Sequence, residues 1–143
     1  MNKVAYYGVV KFGNMHLEAA VLDDGRRGFV RTKLAATIGF SERSGRGGRF
    51  RRFLEEISLN ALELYENKAV RVVIPNGQEV MWVDCSILLE IVNGVINAAL
   101  KGTLHPRMKH AIEPCRIIQS EMVRAAFKMG VANRLGSSPP SPY

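Results

Sequence analysis

The sequence predicts an α+β fold of small antiparallel strand pairs, an N-terminal meander and an Asn-Gly hairpin, packed on a C-terminal helical pair. Three observations carry this: β-rich runs around Phe12-Gly13-Asn14, a tight turn at Pro75-Asn76-Gly77, and apolar residues around nearly the whole circumference of Ile87 to Leu100. With 143 residues, 47% of them hydrophobic, the chain can build one core; the reading is a single domain over 1–134 and a flexible tail over 135–143, rich in proline and serine.

Val4 to Lys11 and Met15 to Leu22 read as the first strands, and Asp23-Asp24-Gly25 turns the chain into a third at Gly28-Phe29-Val30. Thr32 is placed as the N-cap of a short helix, Lys33 to Ile38, with Gly39 as its left-handed stop. Phe50 to Leu64 reads as one or two helices, because Phe53, Leu54, Ile57, Ala61 and Leu64 recur at helical spacing. Ala69 to Ile74 and Glu79 to Val83 then form the clearest hairpin. Trp82 in its second strand faces the core rather than offering a stacking platform.

Asp84 or Ser86 caps the next helix, which ends at Gly102. An all-round apolar helix needs cover on several sides, which predicts a homodimer interface there. Pro106 opens a last helix running to Met129, with a kink or break expected near Glu113 because Pro114 lacks an N–H. Cys85 and Cys115 are read as reduced and mostly buried, in a cytoplasmic protein; no run of about 18 apolar residues offers a membrane span.

Charge is the functional lead. Residues 1–54 hold 11 Lys or Arg against 4 Asp or Glu, whereas 55–143 hold 9 of each. Much of the excess lies between Ser41 and Arg52, where Arg43, Arg46, Arg49, Arg51 and Arg52 alternate with Gly45, Gly47 and Gly48. Guanidinium forks on a glycine-loosened backbone suit phosphate or carboxylate oxygens. Arg26, Arg27, Arg31 and Lys33 extend the same basic set. Those glycines argue against a helix-turn-helix recognition helix, each costing about 1 kcal/mol in a helix interior. The stretch therefore reads as an arm leading into a helix near Phe50. Nucleic acid, DNA ahead of RNA, is one partner for it; an acidic host or phage protein is the alternative.

Neither catalysis nor a metal or other cofactor is expected. His105, His110 and Cys115 recur every five residues, which on a helix turns neighbours too far apart to converge on one ion. No Walker-type phosphate loop occurs, and no base adjoins a nucleophile in sequence.

The chain resembles the phage-associated P-sixty-three-C domain of antirepressor-like proteins. The resemblance runs through Ala20 to Arg27, Ile38-Gly39-Phe40, Phe53-Leu54, Pro75-Asn76-Gly77, Asp84 to Leu89, Ala98 to Leu104 and the last helix ending at Gly130-Val131, about residues 8–131. Gly25 to Phe40 is also similar to the amino-terminal Bro-type domain of viral DNA-binding proteins. The chain differs in lacking the acidic, tyrosine-containing segment after the final helix and in its density of arginine. The resemblance implies a role in gene control or host takeover inside a bacterial cell, without catalytic residues.

Overall fold

A computed structural model describes residues 2–40 and 48–134, with side chains to residue 125. It holds five strands: β1 (Asn2–Phe12), β2 (Met15–Leu22), β3 (Arg27–Val30), β4 (Val70–Val73) and β5 (Glu79–Asp84). Five helices accompany them: α1 (Arg31–Thr37), α2 (Arg49–Ile57), α3 (Leu59–Glu66), α4 (Ser86–Lys101) and α5 (Ile112–Arg134). A 3-10 helix, Pro106–Ala111, precedes α5.

The mixed α+β content agrees with the sequence, but the strands are not separate pairs. They close into a small barrel in the order β1-β2-β3-β5-β4. β3 lies antiparallel to β5 through Gly28–Asp84, Phe29–Val83 and Val30–Trp82, which fuses the meander with the later hairpin. β1 then meets β4 in parallel at Asn2–Val72 and Lys3–Val73. Local turn chemistry specifies hairpins and says nothing of such long-range pairing, so the closure escapes a sequence reading.

Strand alternation divides the barrel wall into two apolar faces. Ala20, Leu22, Val72 and Trp82 form one buried cluster. Trp82 dominates it, donating its indole N–H to the Ala20 carbonyl at 3.0 Å. A side chain at Gly28 would collide with that indole and with the Val83 carbonyl, which explains glycine in a strand interior. Leu17, Phe29 and Val83 belong to the second, larger cluster with the helices. Phe40, Phe50, Phe53 and Tyr65 form its aromatic centre, with Phe40 and Phe50 centroids 5.3 Å apart edge to face.

Several local expectations shift. α1 starts directly from β3 at Arg31, capped by no side chain, so Thr32 lies inside the helix rather than ahead of it; the strand delivers the chain already in position. Gly39, at φ +100°, ends it as expected. Ser58 divides the Phe50–Leu64 stretch into α2 and α3 by accepting from the Ala61 N–H at 3.1 Å. The break expected near Glu113 is present, where the 3-10 helix passes into α5 at Ile112; Pro114 sits in the first turn, where its missing N–H costs nothing. Cys115 is buried but Cys85 is exposed, just before α4. α4 buries Ile87, Leu88, Ile91, Val92 and Val95, and packs against α2, α3 and α5. Most of its apolar girth is thus covered within one chain, while Leu89 and Leu100 stay exposed. Among the described residues no helix is long and apolar enough to cross a membrane.

Candidate nucleic-acid interface

The predicted basic set separates into groups with different local roles. Arg43 and Arg46 lie outside the described residues. Arg49, Arg51 and Arg52 open α2, whose N-cap is Gly48 at φ +78° with no capping side chain and no acid in the first turn. All three are exposed. Arg51 is held by Glu66 of α3 at 3.0 Å. Among the described residues, Arg49 and Arg52 have no carboxylate partner. Cations at a helix N-terminus oppose the macrodipole, and first-turn amides, which have no acceptor within the helix, also favour an anion.

Arg31 has a structural task. Its guanidinium donates to the Tyr65 carbonyl at 3.1 Å and lies 5.1 Å from the Tyr65 ring centroid, bracing α1 against α3. Burial raises the Tyr65 phenol above its ordinary value, against the pull of that cation. Arg31 and Arg51 therefore converge on the last turn of α3, joining two of the predicted residues. Arg26 sits apart, between β2 and β3, bonded to Asp24 at 2.8 Å and 5.5 Å from the Trp82 ring centroid. The Arg26 backbone and side chain hold the exposed Asp24 carboxyl below the usual range. Arg27 is exposed at the head of β3, where its carbonyl accepts from the Cys85 N–H at 2.9 Å.

Lys33 turns toward the hairpin instead, 4.0 Å from Glu18. The two line a groove of about 300 Å³ between α1 and the β1–β2 hairpin, with Val9, Met15, His16, Ala36 and Thr37. Tyr7 donates its hydroxyl to Glu18. The sequence reading missed this pair, although the hairpin register contains it: Tyr7 faces Ala20 and Val9 faces Glu18, so Tyr7 and Glu18 are diagonal neighbours on one face. With its carboxylate shared between a phenol and an ammonium, the groove offers polar binding groups rather than a nucleophile and its base.

No family model, no curated protein and no solved structure matches the chain. His105 accepts from the Arg107 N–H at 3.1 Å, and the His110 ring packs edge to face on Phe40 at 4.6 Å, each already engaged in the fold. Burial pushes the Cys115 thiol up to about 12, and burial, then the Asp84 charge, raises Cys85. Both thiols are poor nucleophiles at neutral pH. Among the described residues no group of three His, Cys, Asp or Glu could hold a metal ion.

Proposed function

We propose that the chain is a non-enzymatic regulatory protein that binds nucleic acid, DNA in preference to RNA, through the start of α2 and the arginines just before it. One observation carries the reading: Arg49 and Arg52 are exposed on the first turn of a helix whose N-cap, Gly48, offers no side chain, and they have no carboxylate partner among the described residues. A phosphate there meets two guanidinium forks and the first-turn amides together. Arg43 and Arg46 adjoin the helix in sequence and add two more forks. Arg26, Arg31, Lys33 and Arg51 already have partners in the fold, so they contribute background potential rather than the main contacts. Contacts of this kind read backbone charge, not base edges, so affinity exceeds sequence discrimination. The P-sixty-three-C-like pattern of the sequence points toward gene control and belongs to the same proposal, although no family model carries it.

The test is a salt series of affinities for duplex DNA. Phosphate contacts by Arg43, Arg46, Arg49 and Arg52 give a log-log slope of about −3 to −4, and Arg49→Ala with Arg52→Ala removes about 2 from its magnitude. Binding whose affinity and slope are indifferent to that double substitution would overturn the assignment. So would an absence of DNA binding beside stoichiometric capture of an acidic protein.

A further inference from the structure

The first strand carries an edge that the barrel leaves unclaimed. Among the described residues β1 pairs with β4 at Asn2 and Lys3, an irregularity between Val4 and Tyr6 follows, and from Tyr6 to Phe12 its one strand neighbour is β2. Gly13-Asn14 is a two-residue connection, so Phe12 and Met15 close it as a hydrogen-bonded pair and the alternation runs back from there. Phe12, Val10, Gly8 and Tyr6 direct their N–H and C=O groups to β2. Lys11, Val9 and Tyr7 direct theirs outward. Among the described residues no backbone hydrogen bond from a turn or loop meets them.

The same stretch exposes apolar side chains, with Tyr6 at 74%, Val9 at 52% and Val10 at 38% of their full accessibility. Proteins protect such edges with proline or charge; here Val4 to Phe12 offers no proline and one charge, Lys11. We propose that this edge is a homodimer surface, on which β1 pairs antiparallel with β1 of a second copy about a two-fold axis through Val9. The register follows from the backbone. Only outward-facing residues can exchange hydrogen bonds, and the longest overlap sets Tyr7 against Lys11 of the second copy and Val9 against Val9.

Side chains agree with that register. On one face, Lys11 of the second copy arrives beside Tyr7, whose hydroxyl is already on Glu18, so an ammonium meets a carboxylate. On the other face, Gly8 lies opposite Val10 of the second copy; a Cβ at Gly8 meets nothing within 4 Å, which leaves the valine its space. Tyr6 lies opposite Phe12. Glu18, already 4.0 Å from Lys33, thus takes a second ammonium, and the two Lys11 side chains lie at opposite ends of the paired segment. The choice of a second copy follows from this self-complementarity, which a two-fold axis requires and an unrelated peptide does not supply. A single strand edge is small for an interface, so the dimer is weak and forms with concentration.

The deciding measurement is molar mass by light scattering over a concentration series, for the wild type and for Val9→Pro. Proline removes an outward N–H at the axis and leaves every β1–β2 hydrogen bond in place. The wild type shifts from one chain toward two as concentration rises, whereas Val9→Pro stays at one with an unchanged circular dichroism spectrum. Should Val9→Pro fail to fold, amide exchange in the wild type decides: the Tyr7, Val9 and Lys11 amides slow with concentration while Tyr6, Gly8 and Val10 do not change. A wild type that remains monomeric throughout, a dimer that persists in folded Val9→Pro, or exchange without that alternation would each overturn the proposal. None of these outcomes depends on DNA.

Discussion

Tyr7 is the most perturbed group near the groove. Its hydrogen bond to Glu18, then partial removal from water, then the carboxylate charge push the phenol up to about 12. A phenol raised above its free value of about 10 keeps its proton in the folded chain after the unfolded chain has lost it. Its contribution to stability is therefore whole below pH of about 10 and disappears as pH climbs through about 12. Changing Glu18 to Gln removes the charge and weakens the bond, so the Tyr7 midpoint moves down toward the ordinary value, read as tyrosinate absorbance in a pH titration. An unmoved midpoint would refute the pairing. Of the predicted cations, sequence could place Arg49, Arg51 and Arg52 at a helix start, since Gly48 and Phe50 mark its beginning. It could not reveal that Arg31 grips the Tyr65 carbonyl, because that contact joins two helices that have no sequence relation.

The junction of α2, α3 and α4 turns on two small residues. Ser58 caps α3 and donates to Glu90 of α4 at 3.1 Å, tying the three helices at one point. Opposite it, Gly94 allows α4 to approach so closely that an added Cβ would stand 2.6 Å from the Ile57 carbonyl. Ser58→Ala should cost about 1 kcal/mol, the loss of an N-cap. Gly94→Ala should cost about 1–3 kcal/mol, because backbone must move to admit the methyl. Urea denaturation measures both, and a neutral Gly94→Ala would mean that the helices separate freely. Features set by neighbouring residues were readable in advance: the Asn76-Gly77 hairpin and the Gly39 and Gly102 stops stand, whereas the N-cap position of α4 falls to Cys85, with the Asp84 carboxylate accepting from the Ser86 N–H. The break near Glu113 also stands, within one residue, whereas Thr32 was misjudged because β3 runs straight into α1 at Arg31 with no side-chain cap.

Barrel and helices are two cores that share one wall. Trp82 belongs to the inner cluster, and its neighbour Val83 belongs to the outer one, so the same strand serves both. Neither cluster can lose β5 without exposing the other. Trp82 fluorescence and helical circular dichroism should therefore change at the same urea concentration; separated midpoints would show that the cores are independent. The α+β class was legible because turn and helix signals are local, whereas barrel closure depends on strands far apart in sequence. That closure has a physical cost. Among the described residues the β1–β4 join is the shortest seam between strands, two residue pairs at Asn2 and Lys3. Short of complete unfolding, opening should begin there, as at the end of a zipper. Solvent admitted at that seam should meet the cluster of Val72 and Trp82 before the aromatic centre, which belongs to the other cluster.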